Sequence, residues 1–129
     1  MENDNGLPRI GNTARRLGVR VPEDIQPDDA DMVHCGEKGM SVAPSVAALP
    51  RHRVPRRLRH LAEGAAGKSS DCVWSLGSGR FGKADVSETL SLFVDSHTHG
   101  VVRPAFSMML EDYAIALSNT RAFWRVDEV

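Results

Sequence analysis

The chain has 129 residues, 41% of them hydrophobic and 5% aromatic, with a formal net charge of -1. One domain of this length buries roughly two-thirds of the surface that its unfolded chain exposes, and the near-neutral balance excludes a general attraction to nucleic acid or to an anionic membrane surface. Two cysteines without CxxC spacing, Cys35 and Cys72, exclude a disulfide framework and a cysteine-bound structural zinc.

The start, MENDNGLPRIGN, is acidic and lacks the apolar segment of a secretory signal, and no later stretch approaches the ~20 apolar residues of a membrane span. A soluble, cytoplasmic protein is expected, with residues 1–10 a flexible end and residues 11–129 a single α+β domain. Asn12 offers an N-cap for a helical turn from Ala14 to Leu17, which Gly18 stops. Val19 to Val21 and Met32 to His34 read as brief extended segments around a surface loop with Pro22 and Pro27. Every charged residue from Glu23 to Glu37 is acidic, whereas Arg51, Arg53, Arg56, Arg57 and Arg59 crowd the next polar stretch, so the two can pair. The arginines also suit phosphate, because a guanidinium fork matches phosphate oxygens.

Met40-Ser41-Val42 reads as extended, and Pro44 opens a single helical turn across Ser45 to Ala48. Leu58 and Leu61, three apart, suggest a two-turn cationic helix over Arg56 to Glu63 that Gly64 ends. After the small, flexible run AEGAAGKSS, Cys72 to Leu76 and Leu90 to Val94 read as buried strands, and Val101 to Arg103 as a further extended segment. Ser107 is a suitable N-cap for the most regular helix of the chain, with Glu111 and Asp112 in its first turns and Leu110, Tyr113 and Leu117 on one face. Short strands with a few short helices make a compact mixed α+β domain.

Three patterns carry chemistry by their letters. If Leu90 to Gly100 is extended throughout, Asp95, His97 and His99 share one strand face and could hold a divalent metal, as in the first strand of metal-dependent amidohydrolases. Such a site belongs to a (β/α)₈ barrel of roughly 200 residues or more, so histidines at a strand edge with ordinary hydrogen bonds are the expected reading. Gly77-Ser78-Gly79-Arg80-Phe81-Gly82 spells GxGxxG after a strand, yet too little chain surrounds it for a parallel βαβ unit, and a glycine-rich loop is preferred. Ser41 lies outside a GxSxG elbow, and Cys35 beside His34 is a sequence neighbour rather than an oriented nucleophile and base.

Lys38-Gly39-Met40-Ser41-Val42-Ala43-Pro44, then His99-Gly100-Val101-Val102-Arg103-Pro104-Ala105, then Met109 ahead of an amphipathic helix form a larger pattern. Together they resemble small bacterial proteins related to the type VI secretion effector toxins with an ADP-ribosyltransferase-like fold, over about Gly18 to Trp124. The resemblance implies an α+β fold around a cleft for NAD, no metal, a protein target, an immunity protein, and delivery into another cell by a secretion system. Met40 and Ser41 stand where that family has a small or hydroxyl residue after glycine, and the Ser41 hydroxyl would meet the ribose. His99 stands at the histidine that opens the strand before the Pro-Ala step. Cleavage of the nicotinamide–ribose bond passes through an oxocarbenium-like state that needs clamped sugar hydroxyls, a phosphate partner and a carboxylate. Ser41 and His99 would clamp, Arg51 or Arg53 would meet the pyrophosphate, and Glu111 would act from the helix start unless that role is absent. A second function of a different class is a catalytically silent binding or regulatory module of the same fold, whose Glu23 to Glu37 loop and Arg51 to Arg59 segment meet a partner.

Overall fold

The computed structural model describes residues 1–77 and 80–126. Their strands, in chain order, are β1 (Asn3–Asp4), β2 (Leu7–Pro8), β3 (Met32–Val33), β4 (Met40–Val42), β5 (Trp74–Leu76), β6 (Ala84–Asp85), β7 (Leu90–Ser96), β8 (His99–Pro104), β9 (Met108–Met109) and β10 (Trp124–Val126). One α-helix, α1 (Leu110–Ser118), follows β9 directly, and single 3₁₀ turns lie at Val46–Ala48, Arg51–Arg53, Arg56–Leu58 and Arg121–Phe123. The architecture is a small, strand-rich α+β fold.

Its centre is an antiparallel sheet in the order β4-β8-β7-β6. Leu90, Leu92 and Val94 alternate along β7, so they share a face with Val102, Pro104 and Met40, which the register sets opposite them or one strand further on. That face carries the core. Leu90, Val102 and Met40 pack with Tyr113 and Leu117 of α1, with Val33, Leu17 and Ile25, and with Trp124 of β10. A second, smaller cluster of Val54, Leu58, Ala62 and Val73 lies beneath the 3₁₀ segments.

Tyr113 does more than fill space. Its buried hydroxyl accepts from the Met40 N–H at 3.1 Å and donates to the Val102 carbonyl, so it bridges the first rung between β4 and β8. Burial pushes the phenol pKa well above its ordinary value, which keeps the donor protonated. Gly39 makes room for this bridge: a Cβ there would meet the Val102 oxygen at 2.4 Å and the Tyr113 hydroxyl at 2.8 Å.

Several expectations change. Residues 1–10, expected as a loose end, contain the β1–β2 hairpin, to which Arg121 donates at Pro8 O (2.8 Å) and Asp4 Oδ2 (2.9 Å). The turn expected from Ala14 to Leu17 is not helical, because Leu17, 1% exposed, is drawn into the core and its N–H pairs with Arg9 O at 2.8 Å. The two-turn helix over Arg56 to Glu63 shrinks to a 3₁₀ turn at Arg56–Leu58. The N–H groups of Leu58, Arg59 and Leu61 bond three residues back, to Pro55, Arg56 and Leu58, while Arg56 N donates to Gly67 O and the Arg57 guanidinium to the Ser69 and Asp71 carbonyls. The main helix begins at Leu110 rather than after Ser107, because Met108–Met109 pairs with β3 and Leu110 N donates to Asp31 O at 2.9 Å. After Gly82, where a glycine-rich hairpin or loop is expected, the short strand β6 follows, and Ser78 and Gly79 of the motif lie outside the described residues.

Candidate functional site

β4 is an edge of the central sheet, and a groove of about 2100 Å³ runs past it. Its lining includes Met40, Val42 and Val102 of the sheet, Trp74 and Trp124 of the β5–β10 ribbon, and Val46 and Leu49 of the 3₁₀ segment.

The register brings two of the sequence candidates together. Ser41 pairs with Val101, and His99 is two residues from Val101 along β8, so Ser41 and His99 share one face of adjacent strands, the face opposite that of Met40, Val42 and Val102. Diagonal neighbours of this kind stand roughly 7–8 Å apart between their backbones, within joint reach of one sugar. Both line the groove, Ser41 exposed and His99 half-buried.

His99 is held by a partner that its own sequence supplies. Asp95, His97 and His99 do not lie on one strand: β7 ends at Ser96, His97 and Thr98 form the turn, and β8 begins at His99. The register shifts between Val94 and Ser96, which leaves Asp95 as the extra residue of β7, and alternation from Phe93 puts it on the face that carries Val101 and His99. There both oxygens of Asp95 contact His99 Nδ1, at 2.8 and 2.9 Å. An ionised carboxylate can only accept, so Nδ1 carries a proton, and in the neutral ring Nε2 is the acceptor. His97 sits exposed at the turn. Among the described residues, no three His, Cys, Asp or Glu side chains gather as metal ligands would.

The other candidates separate. Met40 and Arg53 line the groove, as do Arg20 and Arg80. Arg20 is engaged by Asp24 through Nη2 at 3.0 Å and Nε at 3.3 Å, and this hydrogen bond raises the guanidinium pKa further above its ordinary value. Arg51 is turned away, its Nη1 donating to the Ala47 and Leu49 carbonyls at 3.0 and 3.3 Å. Glu111 is exposed in the first turn of α1 and lines no part of the groove, where its charge favours the helix N-terminus. The acidic stretch finds partners close at hand, in the Arg20–Asp24 and His34–Asp28 pairs. Asp95 is the residue that the sequence did not single out for the groove: its spacing from His99 was visible, but only the hairpin turn brings the two into contact. Among the described residues no helix is long and apolar enough to cross a membrane. Comparison of the chain with protein-family models, with curated proteins and with solved structures finds no match.

Proposed function

We propose that the protein is an ADP-ribosyltransferase-like effector that takes NAD into the groove beside β4 and transfers ADP-ribose to a protein target. The observation that carries this reading is the juxtaposition of Ser41 and His99 on paired strands at the groove, with the His99 tautomer held by Asp95. The Ser41 hydroxyl and His99 Nε2 clamp the hydroxyls of the nicotinamide ribose, which orients the bond that breaks. Arg53 meets the pyrophosphate, since it shares the groove and Arg51 does not. Asp95, rather than Glu111, is the carboxylate beside the clamp, and its charge favours the cationic sugar through the intervening imidazole.

The test is NAD binding by calorimetry together with nicotinamide release, each measured on the wild type and on Ser41→Ala and His99→Ala. Binding and release in the wild type, both lost in variants whose circular dichroism is unchanged, are the expected result. Absence of NAD binding at millimolar concentration sinks the reading. Binding without nicotinamide release assigns the chain to the silent, ligand-binding class instead.

A further inference from the structure

A second constellation lies away from the groove, where β3 and β9 end. Met32 pairs with Met109 and Val33 with Met108, so the next positions to face one another are His34 and Ser107. Leu110 N donates to Asp31 O, which makes Asp31 and Leu110 a hydrogen-bonded pair and, by alternation, His34 and Ser107 a non-hydrogen-bonded one. In such pairs the side chains approach most closely. His34 Nδ1 accordingly meets Ser107 Oγ at 2.8 Å, and His34 Nε2 meets Asp28 Oδ2 at 2.8 Å.

The acid end of this line is fixed by backbone. Asp28 Oδ1 accepts from the N–H groups of Ala30 (2.9 Å) and Met32 (3.0 Å), which leaves Oδ2 aimed at the imidazole. These hydrogen bonds, Met32 foremost and then His34, hold the carboxyl below its ordinary pKa. An ionised Asp28 accepts from Nε2–H, so Nδ1 is the acceptor that faces the Ser107 hydroxyl. The three groups thus have the order acid, imidazole, hydroxyl, with the two ring nitrogens exchanged relative to the usual serine-hydrolase arrangement. Either nitrogen can serve as base when the other is tied to a carboxylate.

We propose that Ser107, His34 and Asp28 form an esterase site independent of the groove. Ser107 Oγ attacks the carbonyl carbon of an ester while its proton passes to His34 Nδ1. The carbon–oxygen bond to the leaving alcohol then breaks, the alcohol departs with the proton from His34, and the acyl group remains on Ser107. Water, deprotonated by the same nitrogen, releases the acid and restores the serine. Phe106 (52% exposed) adjoins the serine and Met109 (41% exposed) lies two residues further on, so exposed apolar side chains flank it in sequence. The substrate class is therefore an ester with a small apolar acyl group, presented from outside rather than enclosed.

The probe is p-nitrophenyl acetate with the full chain, read by release of nitrophenolate and by peptide mass spectrometry. The expected result is one acetyl group on Ser107, retained in Cys35→Ser, with acylation at least ~100-fold slower in His34→Ala, in line with the worth of a general base. Asp28→Asn, which keeps the shape of the acid, is expected to slow acylation as well. A folded wild type that carries no acetyl group on Ser107, or whose label resides on Cys35, overturns the proposal. So does a result in which Ser107→Ala and His34→Ala only lower the unfolding temperature, because that marks the line as a tie between β3 and β9. Loss of NAD binding leaves these outcomes unaffected, so the two sites are judged separately.

Discussion

At the scale of single residues, the structure distributes its carboxylates into different kinds of work. Asp95 touches His99, whereas Glu111 stands at the start of α1. Asp95→Asn should therefore lower the rate of nicotinamide release by up to ~100-fold with little change in KM for NAD, as expected when a clamp is retained but misaligned. Glu111→Gln should leave both parameters near wild type, and steady-state kinetics on the two variants separates the roles. Asp28 gives a different prediction. Its folded-state pKa is depressed, so the stability it contributes is present above the unfolded carboxylate pKa and is lost as pH falls through the folded value. The carboxylate is open to solvent, so the effect is screened and modest. Urea midpoints should show the wild type above Asp28→Asn near neutral pH, with the gap closing as the pH falls below the ordinary aspartate range.

At the scale of elements, the β4–β8 pairing depends on a glycine that has no side chain to offer. Gly39→Ala forces a Cβ onto the Val102 carbonyl and the Tyr113 hydroxyl, and neither belongs to the far end of a flexible side chain. The expected cost is about 1–3 kcal/mol, measured by urea unfolding, with nicotinamide release impaired because Ser41 shifts with its strand. β3, β4, β5, β7 and β8 were legible in the sequence because their apolar runs are short, β-rich and bounded by turn residues, as at Met40-Ser41-Val42. The start of α1 was not, because pairing with β3 overrode the capping preference of Ser107 and gave its hydroxyl to His34. Arg56 to Glu63 failed for the same reason. Two leucines three apart look helical, but the N–H groups of Leu58, Arg59 and Leu61 bond three residues back in 3₁₀ fashion, while Arg56 N–H crosses to Gly67 O. Asp95 and His99 were visible as letters, yet the turn at His97 and Thr98, which decides whether they coordinate or pair, is set by cross-strand register. Of the candidate site, Ser41 and His99 were recoverable from short motifs. The Tyr113 bridge, joining residues 73 apart, had no local signal.

At the scale of the whole molecule, the groove draws on both hydrophobic clusters. Met40, Val102 and Trp124 belong to the main core, whereas Val46, Leu49 and Val73 belong to or pack against the smaller cluster around Val54 and Leu58. Four buried residues support the smaller cluster, and its backbone ties are 3₁₀ turns and the Pro55–Gly67 bridge rather than a sheet. Regions with few buried contacts open below the global free energy, so the side of the groove that carries Arg53 should open before the side made by the sheet. Leu58, 3% exposed, lies in this cluster and does not line the groove. Leu58→Ala is expected to cost about 2–5 kcal/mol of local stability and to raise amide exchange across residues 46–73 while β7 and β8 keep their protection. If NAD needs both sides closed, its apparent affinity falls in proportion to the population that remains closed. Calorimetry on Leu58→Ala should then show weaker NAD binding even though no group that touches the ligand has changed. Unaltered affinity alongside faster exchange at 46–73 would instead restrict the binding surface to the sheet side, where Ser41 and His99 stand.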